Sequence, residues 1–508
     1  MLARVLSAAI VGLSAVPVEV EVDIASQGLP NFFIVGLPDK AVEEAKERVR
    51  SALRNSGADF PARRITVNLA PADLPKGGPA YDLPIALGIL IASGQLEAKV
   101  ENVLIAGELS LDGRVRPITG ALLGAILARE KKIKQFFVPE DNAKEAALVQ
   151  GINVYPVSSL FSLFEHFTNQ KLIAPQEGVS YDEGDDYNFE FDMRDVKGQQ
   201  VAKRAIEIAA AGGHNILLKG PPGAGKTLLA RTLPSILPRL TFDEMIEVTK
   251  IYSIAGLLGK EALMRQRPFR APHHTTSLVG LVGGGTHPKP GEITLAHRGV
   301  LFLDEFPEFP RLILESLRQP IEDSVVSISR ANGKLRFPAK CMLVAAQNPC
   351  PCGYYQDATH TCSCTPRQVT GYHKRISGPL LDRIDIHIDV PAVKVEKLTD
   401  GDEGFIEDSS LVRARVQKAR DIQTKRFEGG AIASNSELTS KSIKQYCKLT
   451  EECLALLRTA VAKLQLSGRS YYRTIKLART IADLDGKEEI EESHIAEALQ
   501  YRPRVQVV

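Results

Sequence analysis

The stretch NILLKGPPGAGKT (215–227) constrains this chain more than any other. An apolar strand pattern runs into Gly220, Pro221, Pro222, Gly223, Ala224, Gly225, Lys226 and Thr227, and Leu228 continues into a helical pattern. In this G-x-x-x-x-G-K-T spacing, glycines let backbone N–H groups close around phosphates at a helix N-terminus, where orphan amides and the dipole both favour anions. Lys226 is placed to reach the β and γ oxygens, and Thr227 to ligate Mg²⁺. With a strand before the loop and a helix after it, a chance glycine loop is a poor alternative. The stretch predicts a site for ATP and Mg²⁺.

Two further apolar strands end in the residues such a site needs. GVLFLDEF (299–306) ends in Asp304 and Glu305; carboxylates there suit water-mediated Mg²⁺ binding (Asp304) and activation of the attacking water (Glu305). CMLVAAQN (341–348) ends in Asn348, placed to orient water or sense the γ-phosphate. The expected activity is ATP hydrolysis.

At 508 residues the chain has room for about three domains. Residues 1–168 alternate strand-like and helix-like patterns, 169–193 are acidic and read as a linker, 194–395 alternate as in a parallel α/β sheet, and 396–508 are helical. The start, MLARVLSAAIVGLSAVPVEVEVDI, has some signal-peptide character. Alternation of Val18, Val20, Val22 and Ile24 against Glu19, Glu21 and Asp23 favours two strands. No apolar run is long enough for a membrane helix, and seven Cys are too few for a disulfide scaffold, so a cytoplasmic protein without a membrane partner is expected. The net charge of +2 restricts any nucleic-acid contact to local clusters.

The order of loop, strand–Asp-Glu, strand–Asn and then SGPLLDRIDIHIDV (377–390) resembles AAA+ ATPases. The blocks PFRAPHHTTSLVGLVGGG, PGEITLAHRGVLFLDEFPEF and NPCPCGYY resemble the magnesium-chelatase-like ComM/YifB family, over essentially the whole chain. The fold class implied is α/β: an AAA+ parallel-sheet P-loop core with a helical lid, preceded by a Lon-protease-like α+β domain. The resemblance also implies a homohexameric ring whose site is completed by an arginine of the next subunit, here Arg383. Read alone, that Arg could equally be a surface residue. A second arginine is expected from the lid, Arg469 with Arg473 as rival, since both could face the nucleotide from one helix start. The implied function is an ATP-driven motor on single-stranded and branched DNA. Branch migration or helicase activity in homologous recombination and natural transformation would follow, alongside recombination proteins such as RecA.

DSVVSISRANGKLRFPAK (323–340) reads as a hairpin turning at Asn332-Gly333, with Arg330, Lys334 and Arg336 as a basic, DNA-holding tip. A plain solvated hairpin is the alternative. SLVGLVGGGTHPKPG (277–291), too Gly-rich for a regular helix, resembles a second pore insert exposing His287 and Lys289. Within the insert 350–364, Cys350, Cys352, Cys362 and Cys364 form two C-x-C pairs that could offer four thiolates to a structural Zn²⁺, with His360 as a substitute ligand. Free thiols or redox-active pairs are the alternatives. Cys341, Cys447 and Cys453 read as core residues.

LPKGGPAYDLPIALG (74–88) resembles the turn that carries the Lon nucleophile, and IAGELSLDGRVRPITGALLGA the block that carries its catalytic lysine. Ala80 and Leu122 occupy those two positions, and Lys76 has no hydroxyl beside it. The N-terminal domain is therefore expected to be a scaffold for assembly or binding, without peptidase activity. The main rival to a DNA motor is a chelatase-type motor that remodels a protein partner.

Overall fold

The computed structural model describes residues 2–74, 76–178, 189–259, 261–285, 288–330, 333–357, 360–392, 407–430, 432–464 and 466–503. The chain divides into two compact units, Met1–Asp185 with Met245–Met264, and Asp186–Glu244 with Arg265–Val508. No helix among the described residues is long and apolar enough to cross a membrane.

The first unit is built on a seven-stranded sheet. Its strands are β1 (Leu2–Val11), β2 (Ser14–Ile24), β3 (Asn31–Val35), β4 (Arg64–Ala70), β5 (Val103–Ile105), β6 (Gln135–Pro139) and β7 (Asn153–Val157). They lie in the order β3-β4-β2-β1-β5-β6-β7. Leu2–Val11 and Ser14–Ile24 thus form a two-strand hairpin, with Val18, Val20, Val22 and Ile24 buried as the alternation predicts. The helix Asp82–Ala92 is buried almost all round, and Gly88 lets it approach the sheet. A Cβ there would stand 2.5 Å from Val22 Cγ2. Residues 245–264, read from sequence as part of the ATPase core, fold with this unit: Ser253 hydroxyl donates to the buried Glu145 carboxylate, and Gly256 lies against Thr119.

The second unit centres on a five-stranded parallel sheet. Its strands are β8 (Ile216–Lys219), β9 (Phe269–Arg270), β10 (Val300–Leu303), β13 (Met342–Gln347) and β14 (Ile386–Asp389), in the order β9-β10-β13-β8-β14. Between β10 and β13 the chain forms a separate antiparallel hairpin, β11 (Val325–Arg330) and β12 (Gly333–Pro338). Strands β10 and β13 are buried at every residue, which is why they read as continuous apolar runs and not as alternating ones. Helices Gln200–Gly212 and Ser409–Arg426 share one core with Gly468–Leu484 through Ile206, Ala209, Val416 and Ile481. Inside the helical segment a charged network is closed on itself, with Asp483 accepting from Arg426 and Arg479. Part of the expected linker, 179–188, lies outside the described residues. Beyond it Phe191 and Phe189 pack under Arg231 and Arg413, so this end of the acidic stretch is held to the second unit.

Candidate active site

The phosphate loop follows β8, and its neighbours in the sheet bring the other residues to the same edge. Gly220 N–H donates to Gln347 O at the end of β13 (3.2 Å). A side chain on Gly220 would collide with Val390 O, 2.1 Å from an added Cβ. Gly223 and Gly225 take positive φ of 75° and 80°, backbone that favours glycine. Lys226 opens the helix Lys226–Ile236 and is largely buried. Its Nζ donates to Gly220 O and Pro221 O at 2.8 Å each, and to Asn348 Oδ1 at 3.1 Å. Burial holds its pKa below the usual lysine value, while Asp304 opposes that shift. Thr227 Oγ1 donates to Asp304 Oδ2 at 2.7 Å, so the two oxygens assigned to Mg²⁺ from sequence already lie side by side.

Glu305 is exposed and takes a left-handed φ of 50°, uncommon for a non-glycine residue. Its N–H donates to Asp304 Oδ1 (2.9 Å), and its Oε2 lies 3.5 Å from His274 Nδ1. His274 lies in the block PFRAPHHTTSLVGLVGGG, and nothing in its spacing announces that it meets Glu305. Gln199 was likewise unmarked, yet its amide donates to Ala224 O of the phosphate loop. Together these groups can hold a triphosphate and a divalent cation and present a carboxylate to a water.

The arginines lie elsewhere. Arg383 is buried, with one guanidinium nitrogen on Glu322 and another on Pro379 O at 2.6 Å. Arg469 reaches the same Glu322 (3.4 Å), whereas Arg473 pairs with Asp385 at 2.8 Å. Asp385 immediately precedes β14, which runs parallel to β8, so it marks the sheet edge opposite to the one where the phosphate loop emerges. Four residues of strand separate those edges by roughly 13 Å. Arg469, the expected lid arginine, and its rival Arg473 thus lie with the exposed carboxylate of Glu322 and the buried one of Asp385 at the far edge, and not beside the phosphate loop of this chain. A cavity of about 710 Å³ opens there, lined in part by Glu322, Arg469, Arg473 and Lys476.

The hairpin forms, with each residue paired two positions away from the expected partner. Arg330 pairs with Gly333, so Gly333 belongs to the return strand and not to the turn; Ala331 and Asn332 lie outside the described residues. Val326 stands opposite Phe337 and Ile328 opposite Leu335, so the apolar residues share one face. Lys334 and Arg336, opposite Ser329 and Ser327, share the other row and are exposed; the side chain of Arg330 lies outside the described set. The second insert is partly regular after all. Leu278–Val282 form a short helix capped by Ser277, and Gly283-Gly284 then pair with Lys289-Pro290. Gly283 lies against the hairpin, 3.2 Å from Ile328 Cδ1 to an added Cβ. Lys289 is exposed, and His287 lies outside the described residues.

The four insert cysteines converge. Their Sγ atoms all lie within 4.8 Å of one another. Cys350 is 3.3 Å from Cys352 and 3.7 Å from Cys362, and Cys352 is 3.5 Å from Cys362. Tetrahedral thiolates around a Zn²⁺ at about 2.3 Å would stand roughly 3.8 Å apart, so this set fits the ion and the short spacers are no obstacle. His360 instead stacks on Tyr354. Cys447 and Cys453 are buried, and Cys341 is part-buried at the entry of β13.

In the first unit, Ala80 lies in the turn Pro79–Tyr81 and Leu122 is fully buried. Lys76 is buried too, its Nζ bonded to Pro71 O and its pKa lowered by burial. None of the three supplies a hydroxyl.

Three family profiles match the chain: magnesium chelatase, subunit ChlI, at 192–398; subunit ChlI of Mg-chelatase at 20–142; and the ChlI C-terminal region at 406–502. The chain is 47% identical to competence protein ComM of Haemophilus influenzae, covering 100% of this chain and 98% of that protein. It is 43% identical to the YifB protein of Escherichia coli K12, covering 97% and 96%. A Lon protease of Mycoplasmopsis agalactiae is similar at 24% identity over 32% of this chain and 18% of its own length. The chain belongs to the magnesium-chelatase-like ComM/YifB family of AAA+ ATPases.

Proposed function

We propose that this member of the family is an ATP-driven hexameric motor that moves DNA strands, with branch migration or helicase activity during homologous recombination and natural transformation. The relative called a competence protein supports that setting. The observation that carries the reading is the exposed row of Lys334 and Arg336 on a hairpin that adjoins the second insert, in the same unit as the phosphate loop. Six copies around a channel would supply positive charge to a phosphate backbone although the chain as a whole is almost neutral. RecA-type recombination proteins are the partners this setting suggests.

In hydrolysis, Lys226 exchanges its carbonyl partners for phosphate oxygens, and Thr227 with Asp304 holds the cation. Bound Mg²⁺ supplies charge neutralisation at the phosphates. Asn348 orients the γ end, and Glu305 draws a proton from the attacking water. Arg383 and Arg469, gathered on Glu322 at the far sheet edge, suit a neighbouring subunit's nucleotide better than their own. The four insert cysteines hold a structural Zn²⁺. The first unit keeps the Lon-like scaffold without its nucleophile, and a casein-degradation assay should find no proteolysis.

A chelatase-type motor acting on a protein is the second reading, favoured by the exposed Leu278 and Val279 on the second insert. Measuring ATPase rate and particle size with and without branched DNA separates the two. Stimulation by DNA of a six-subunit particle supports the first; indifference to DNA overturns it.

A further inference from the structure

The cysteine cluster adjoins the phosphate loop. Gly353, next to Cys352, approaches Pro222 so closely that a Cβ on it would stand 2.5 Å from both Cγ and Cδ of the proline ring. Its φ of 89° is left-handed, and its N–H donates to Cys350 O at 3.0 Å. Two residues before Cys350, Asn348 accepts from Lys226. One six-residue segment, 348–353, therefore touches the loop at Lys226 and at Pro222, and carries two of the four thiols between those contacts.

Strand β13 ends at Gln347 and the next helix begins at Pro366, with no strand or helix described between them. Segments 348–353 and 362–364 meet at the sulfur cluster, where Cys352 N–H donates to Cys364 Sγ at 3.4 Å and the Cys362 Sγ lies 3.7 Å from that of Cys350 and 3.5 Å from that of Cys352. Contacts between thiols are weak, whereas four metal–thiolate bonds cross-link both arms and contribute directly to local folding.

We propose that Zn²⁺ in this cluster fixes the segment 348–353 against Lys226 and Pro222 and so sets the affinity of the phosphate loop for nucleotide. This rests on the zinc reading above. Gly353 and Asn348 act as positioning residues, passing the order of the metal cluster to the loop.

The test uses the full chain and three quantities: zinc per chain by elemental analysis, Kd for a fluorescent ADP analogue, and thermal melting without nucleotide. Gly353→Ala keeps all four thiols but forces a methyl into Pro222 at a left-handed φ, so zinc content should hold and melting drop by only a few degrees while nucleotide affinity falls roughly 10-fold. Cys362→Ser should lose zinc with at least the same loss of affinity. Wild-type protein stripped by chelator should bind nucleotide weakly and recover when Zn²⁺ alone is restored. Zinc bound in wild type, but with Kd unmoved by stripping and by Gly353→Ala, overturns the coupling and leaves the zinc site standing. No zinc in protein never exposed to chelator overturns the zinc site, and the coupling with it.

Discussion

Asn348 Oδ1 accepts a hydrogen bond from Lys226 Nζ at 3.1 Å, joining the end of β13 to the start of the helix after the phosphate loop. The two residues lie 122 positions apart and meet because β8 and β13 are adjacent parallel strands whose C-terminal ends share one sheet edge. A buried ammonium held by three oxygens is preorganised for a phosphate that offers the same number in better geometry.

Lys226→Ala should therefore weaken nucleotide binding roughly 10- to 100-fold, the worth of one hydrogen bond to a charged group. Glu305→Gln should bind ATP with near-normal affinity and hydrolyse almost none, because the exposed carboxylate at the strand end touches none of the phosphate-loop groups. Equilibrium binding and single-turnover hydrolysis check both. Normal turnover by the Glu305 variant removes the assignment.

Arg383 and Arg469 converge on Glu322 at the edge opposite their own phosphate loop. If they serve the neighbouring subunit, Arg383→Ala alone should lower kcat by about 10³-fold or more, on the scale of arginine fingers. Mixing it with Lys226→Ala protein should restore activity at interfaces that pair an intact Arg383 with an intact Lys226. Proven co-assembly with no recovery at any ratio counts against a role across the interface.

On the hairpin, Lys334 and Arg336 occupy one exposed row. Lys334→Ala with Arg336→Ala should weaken DNA binding and reduce the log–log salt slope by about 0.7 to 0.9 per lost phosphate contact. Basal ATPase and particle size should not change, since neither residue approaches the nucleotide groups. DNA affinity that survives the double change would move the grip to the first unit.

Burial pushes the His387 imidazole down to about 4, and the nearby Arg502 adds to the shift. The unfolded chain takes up a proton near the ordinary value of 6.5, while the folded one stays neutral until about 4. Stability should consequently fall as pH drops from about 6.5 to about 4 and level off below that, by roughly 1–3 kcal/mol for a part-buried ring. His387→Asn should flatten that portion of the curve when denaturant midpoints are measured from pH 7 to pH 4. An unchanged slope would show that His387 does not titrate differently in the two states.

Local pattern determined much of this protein. The glycine spacing of 220–227, the apolar runs ending at Asp304-Glu305 and Asn348, and the alternation of Val18 to Ile24 each state an element and its end within a few residues, because periodicity and turn chemistry act over one or two turns of chain. The spacing of the four cysteines likewise anticipated a cluster that the folded chain assembles. Tertiary structure decided which charges meet. Glu322 collects Arg469 across 147 residues, Asp385 takes Arg473 across 88, and Gly353 comes against Pro222 of the phosphate loop. Such choices depend on desolvation and packing between segments distant in sequence, and neither leaves a mark on the residues nearby in the chain.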